Sequence, residues 1–156
     1  KRFIELDKKK QKTSTRQIAK NKQIPYHVVE HNSQYSIKLL NQFDINFGII
    51  SGARILNKNV IDQIKYGILN IHPALIPEIR GLDSVLWSIE KNIPIGVTAH
   101  LMDDKVDSGS IIECRNFRVK ESDNLITLLD RTHDFLFCLF VVFLSFVYKY
   151  FIPTFV

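Results

Sequence analysis

Residues 67–81 read Gly67-Ile68-Leu69-Asn70-Ile71-His72-Pro73-Ala74-Leu75-Ile76-Pro77-Glu78-Ile79-Arg80-Gly81. Ile68 to His72 has the length and apolar character of a buried strand. Pro73 and Pro77 have no backbone N–H to give, so the strand stops at His72 and gives way to an ordered loop. On a strand, residues i and i+2 point to the same face, which places Asn70 and His72 together. Upstream, the continuous apolar run Ile45 to Ile50 predicts another strand buried on both sides. Between the two, Asn57 is placed to cap a helix over residues 58–65, with Val60, Ile61 and Ile64 inward and Gly67 as its stop. Downstream, Leu82 to Lys91 predicts a helix with Asp83 as cap. Ile95 to Met102 then predicts a strand in which Val97, Ala99 and Leu101 alternate with Thr98, His100 and Met102.

Farther out, Thr13 to Gln23 predicts a short helix, Tyr26 to Val29 a β-rich stretch, and Gln34 to Phe43 a helix with Ile37, Leu39 and Leu40 on one side. After the bracketing turns Asp103-Asp104 and Asp107-Ser108-Gly109, Ser110 to Val119 predicts the last strand, and Ser122 is the expected cap of a long terminal helix. Strands alternating with helices at this spacing imply a single α/β domain over residues 1–156, a Rossmann-like, mostly parallel sheet flanked by helices.

The 156 residues are 46% hydrophobic and 24% charged, which supports one compact core and excludes disorder, collagen and coiled coil. Two cysteines, Cys114 and Cys138, cannot build a disulfide framework, so the expected setting is reducing and cytoplasmic. The net charge of +5 is unevenly placed. Residues 1–22 hold nine Lys/Arg against Glu5 and Asp7, a local +7, leaving −2 for the rest. A slightly acidic body lacks the spread of positive charge that a phosphate backbone requires, and no nucleic-acid partner is expected.

Residues 135–148 are nearly all apolar, and seven of the eleven Phe lie beyond residue 134. A membrane span needs ~20 such residues, so 135–156 reads as an apolar C-terminal helix packed on the sheet or on a second subunit of a homodimer, in preference to membrane contact. His27-Val28-Val29-Glu30-His31 matches H-x-x-E-H, a zinc-protease pattern that requires a helix. Pro25 and the paired valines favour an extended stretch, which points Glu30 away from the imidazoles, and no metal is expected.

An amide, an imidazole and a carboxylate converge at one end of the sheet if Asn70 and His72 are joined by Asp107 from the 103–107 loop. This set suits acyl transfer without a covalent nucleophile: the amide and imidazole stabilise an oxyanion, and the carboxylate orients the imidazole and helps remove a proton. By spacing alone, such residues serve equally as caps and turn formers.

The block N-x-H-P-x-L-x-P-x-x-R-G from Asn70 to Gly81, Gly96 to Asp103, and Val106 to Ile112 with its D-x-G loop together resemble the folate-dependent formyltransferase family over residues 13–130. That family includes the glycinamide ribonucleotide, methionyl-tRNA and sugar-amine N-formyltransferases. The resemblance implies Asn70, His72 and Asp107 as catalytic residues and 10-formyltetrahydrofolate as co-substrate. It also implies folate contacts from Arg54, Ile55, Leu56, Met102, Asp104 and Val106, with Thr98 and His100 supporting Asp107. The implied reaction moves the formyl group to a primary amine, Asn70 and His72 binding the oxyanion and Asp107 managing the proton through a water. Pro73 after His72 matches the transferases, whereas the related formyltetrahydrofolate hydrolases, the alternative activity, carry a second His there.

Members begin with a strand, helix and strand that nothing before Thr13 supplies, and Phe3 to Gln23 resembles the end of the second of those strands with its succeeding loop and helix. The first βαβ portion is therefore expected to be missing, and a catalytically silent or membrane-associated fragment is the contrasting reading. The Glu78–Asp83 loop and the lack of a tRNA-binding domain lean toward a small-molecule acceptor, an amino sugar on a nucleotide first and glycinamide ribonucleotide second. One oxyanion donor is worth ~2.7–4 kcal/mol, so Asn70→Ala is expected to lower turnover roughly 10²- to 10³-fold, measured by formyl transfer.

Overall fold

The computed structural model describes residues 13–50, 52 and 55–151, with side chains to Ser145. Two compact units divide the chain at Glu30 and His31. In the first, helix α1 (Thr15–Asn21) starts where the Ser14 hydroxyl accepts the Gln17 N–H. Residues 24–30 have no regular secondary structure, in place of the β-rich stretch expected over Tyr26–Val29. The part of the Phe3–Gln23 expectation that falls on residues 1–12 lies outside the described residues.

The second unit runs α2 (Gln34–Gln42), β1 (Gly48–Ile50), α3 (Lys58–Ile61), β2 (Ile68–His72), α4 (Ser84–Glu90), β3 (Gly96–Leu101), β4 (Ile111–Asn116) and α5 (Leu125–Phe151). Ser33 caps α2 by accepting the Ser36 N–H. Helix α3 is shorter than expected. Beyond Ile61, Gln63, Ile64 and Gly67 bond three residues back, so tight turns replace α-helix while still burying Val60 and Ile64. Asn57 precedes α3 without a side-chain cap bond, and Asp83 precedes α4 likewise, in the left-handed region at φ 55°. For α5 it is Asn124, not Ser122, that accepts the N–H groups of Ile126 and Thr127. Residues 120–123 are held in a turn by the Lys120–Asp123 bonds, and the Arg131 guanidinium pairs with Asp123, so the helix cannot begin earlier.

The α/β architecture is as expected, and the strand directions differ from expectation. In the order β1-β2-β3-β4, β1 and β2 are parallel, whereas β2–β3 and β3–β4 are antiparallel. Alternation along a strand reports which face is buried, not which way the strand runs. Strand β1 is also less enclosed than expected, with Ile49 41% exposed, because it forms one edge of the described sheet.

The β2–β3 pair has one dry face and one polar face. Leu69, Ile71, Val97 and Ala99 form a cluster with Leu139 of α5, and Phe47, Phe135, Leu136, Phe140 and Phe143 pack around it. Thus the Phe-rich segment covers the sheet along one side. Its other side carries exposed Phe137, Val141 and Val142, and among the described residues no helix is long and apolar enough to cross a membrane. Leu139 is 1% exposed, so Leu139→Ala is expected to destabilise the chain by about 2–5 kcal/mol, read from the urea midpoint.

Candidate active site

The polar face of the β2–β3 pair builds the site. Asn70 and His100 are register partners, as are His72 and Thr98. Antiparallel neighbours on one face stand close enough for side-chain bonds, and Asn70 Nδ2 lies 3.1 Å from His100 Nε2.

Because β3 runs opposite to β2, its end lies beside the beginning of β2, where the Met102 N–H reaches the Ile68 carbonyl. The loop after β3 therefore has to fold back to return Asp107 to Asn70 and His72. Two local features secure this. Asp103 accepts from the Lys105 N–H and the Ser108 hydroxyl, pinning the loop from within, and the Ser108 bond is the chief reason the Asp103 carboxyl is held below its ordinary pKa. Gly109 lies so close to the strand that a Cβ would sit 1.7 Å from the Leu101 carbonyl oxygen, so no other residue fits without moving backbone. Asp107 itself is left-handed at φ 46°, a conformation that Asp tolerates better than most residues.

Four nitrogens surround the Asp107 carboxylate. Oδ2 accepts the Gly81 N–H at 2.9 Å and faces His72 Nδ1 at 3.3 Å. Oδ1 accepts from Asn70 Nδ2 at 3.3 Å and faces His100 Nε2 at 3.6 Å. A carboxylate only accepts, so His72 carries its proton on Nδ1 and Asn70 turns its nitrogen toward Asp107. His100 Nδ1 lies 3.0 Å from the Leu101 carbonyl and donates to it, while Nε2 faces both the Asn70 amide and the Asp107 carboxylate.

Burial pushes the Asp107 carboxyl pKa up, but the hydrogen bonds of His100 and Gly81 and the charges of His72 and His100 outweigh it, and the net displacement is downward. For His72 burial dominates. It lowers the imidazole pKa below the ordinary 6.5, against the opposing pull of Asp107. The site therefore pairs a carboxylate held anionic with an imidazole held neutral.

Thr98 does not support Asp107 as expected. Its hydroxyl donates to the Ala74 carbonyl at 2.7 Å and accepts the Ile76 N–H at 3.2 Å, so it fixes the loop after β2. Of the folate-binding candidates, Arg54 lies outside the described residues. Ile55 and Leu56 lead into α3, where Asn32 accepts the Asn57 N–H and donates to the Ile55 carbonyl. Met102, Asp104 and Val106 lie on the Asp107 loop. Ile55 and Val106 expose 63% and 47% of their surface. Sequence reasoning missed Asn32 and the Gly81 N–H; their partners lie far off in the chain, so no local spacing marks them.

Residues 2–141 match the family model for formyl transferases. The chain belongs to the formyl transferase family. The methionyl-tRNA formyltransferase of Flavobacterium psychrophilum is 32% identical over 108 residues, 69% of this chain and 33% of that protein. The chain thus spans about a third of the length of this relative. Among solved structures, phosphoribosylglycinamide formyltransferase from Bacillus halodurans superposes with TM-score 0.67 at 26% identity, covering 76% of this chain and 66% of the other. The formyltransferase PseJ from Anoxybacillus kamchatkensis, solved with UDP-4,6-dideoxy-4-formamido-L-AltNAc and tetrahydrofolate, does so with TM-score 0.65 at 26% identity, covering 80% and 63%. The family block over Asn70–Gly81 therefore falls on β2 and the loop whose Gly81 N–H holds Asp107.

Both pKa displacements have one sign in pH. The folded chain binds fewer protons than the unfolded chain, so each contributes stability above the ordinary value, 6.5 for His72 and 3.8 for Asp107, that is lost as pH falls through the lowered folded value. The urea midpoint is expected to fall as pH drops below 6.5 and again below 3.8, and Asp107→Asn is expected to flatten the second fall.

Proposed function

We propose that this formyl transferase moves the formyl group of 10-formyltetrahydrofolate to a primary amine, with Asn70, His72 and Asp107 as the catalytic residues. The observation that carries the reading is the single carboxylate that gathers the amide of Asn70 and the imidazole of His72. The family supports the donor, and the PseJ structure with tetrahydrofolate and a formamido sugar nucleotide supports both donor and chemistry.

When bound, the donor supplies an activated formyl carbon. The acceptor nitrogen forms a bond to that carbon, the bond to the folate nitrogen breaks, and the proton lost by the amine ends on the departing nitrogen. Asn70 is less buried than His72 and presents its amide to the developing oxyanion. Its 3.3 Å bond to Asp107 is long and yields first to a stronger, charged acceptor. His72 adds its imidazole to the same oxyanion. A carboxylate held on the anionic side is a weak base, so Asp107 works by keeping the proton of His72 on Nδ1 and by offering the departing ammonium proton an anionic neighbour, reached through water.

Arg54, Ile55, Leu56, Met102, Asp104 and Val106 are assigned to the folate. An amino sugar on a nucleotide is the favoured acceptor. Free Cys114 and Cys138 accord with a cytoplasmic setting. The test is incubation with 10-formyltetrahydrofolate and, in turn, an amino-sugar nucleotide, glycinamide ribonucleotide and methionyl-tRNA, scoring formylated product and tetrahydrofolate together. Asp107→Asn is expected to lower the rate roughly 10²- to 10⁴-fold. A mutant as fast as the parent chain overturns the assignment, folate release without a formylated amine favours the hydrolase, and folate binding without turnover favours a silent fragment.

A further inference from the structure

Ser84 is the first residue of α4, 4% exposed, and its hydroxyl oxygen lies 3.4 Å from His72 Nε2. The same hydroxyl donates to the Gly81 carbonyl at 3.0 Å. His72 is itself 4% exposed, and its Nδ1 side is turned to Asp107. A serine, a histidine and an aspartate thus stand in line. That alignment elsewhere marks a serine nucleophile, but here burial and the bond to Gly81 withhold the hydroxyl from any acyl group.

Its hydrogen is committed to the carbonyl, so what Ser84 turns toward Nε2 is lone-pair density. A lone pair meets a neutral Nε2 with no gain, and it accepts from a protonated Nε2–H. Among the described residues, the titratable groups that act on His72 are Asp107 and His100, with the backbone at Ile79 as a further partner. Of these, Asp107 faces only Nδ1. The side chain that meets the Nε2 end is Ser84.

We propose that Ser84 is a positioning residue for His72, its oxygen receiving the Nε2–H of the imidazolium while its own hydrogen stays on the Gly81 carbonyl. It gives the buried ring a partner at both nitrogens when it is charged, and with both N–H groups engaged the ring acts on an oxyanion through its charge. As it bears on catalysis, this rests on the formyl-transfer function proposed for the site; the coupling of Ser84 to His72 does not.

The test tracks the imidazole nitrogens of His72 by long-range ¹H–¹⁵N correlation across a pH titration of the full chain, with His72→Gln to assign the signals. A hydrogen bond to a charged group is worth enough that Ser84→Ala is expected to move the His72 midpoint roughly one pH unit lower, with Ser84→Thr restoring it. Ser84→Cys keeps the volume with a weak acceptor and gives the same reading if the alanine chain does not fold. The acid limb of the formyl-transfer pH profile is expected to move with the midpoint. An unchanged midpoint in Ser84→Ala overturns the proposal even if formyl transfer proceeds, and so does a formylated Ser84 peptide recovered during turnover. A shifted midpoint without formyl transfer by either chain supports the coupling and overturns the formyl-transfer reading.

Discussion

The Asp107 carboxylate is where the separate parts of the site meet. It takes the Gly81 N–H from the loop after β2, faces the Asn70 and His72 side chains of β2, and lies near His100 on β3. A half-buried anion is costly unless it is surrounded by donors. Four nitrogens surround it, from β2, β3 and the loop after β2. Without the carboxylate, the Gly81 N–H and the Asn70 amide would each lose a partner. The loops after β2 and β3 would then have no common anchor.

That arrangement needs a dry opposite face. The side chains of β2 and β3 alternate, so every polar residue added to the site leaves the residues beside it pointing the other way. Leu69, Ile71, Val97 and Ala99 fill that side, and Leu139 of α5 covers them. The Phe-rich segment therefore has a structural task in the unit that holds the site. It seals the back of the sheet whose front carries the polar cluster around Asp107.

Much of this was legible in the sequence, and the reasons are local. Strand β2 could be read because two prolines end it, and Asn70 and His72 could be set on one face because the strand period is two. The direction of β3 could not be read, since alternation looks the same in either sense. The fold-back of the Asp107 loop was hidden with it. Thr98 shows the limit of facing rules: it stands opposite His72 in register, yet its hydroxyl goes to Ala74 and Ile76. Ser122 and Asn124 are both able cap residues two positions apart. The choice between them is made by the turn at Lys120–Asp123, a contact set by folding rather than by pattern.

The two charge displacements in the site are one consequence of unequal enclosure. Asp107 and His72 share a hydrogen-bond line, and burial works against the charged form of each. The carboxylate has several donors and stays charged. The imidazole has one anionic neighbour and a deep position, and there desolvation prevails. In the formyl transfer proposed for this site, an oxyanion would add a second negative neighbour to His72 and so favour the imidazolium while it is present. A permanently formed ion pair could not respond in that way, because its charge would already be satisfied before the acceptor arrived.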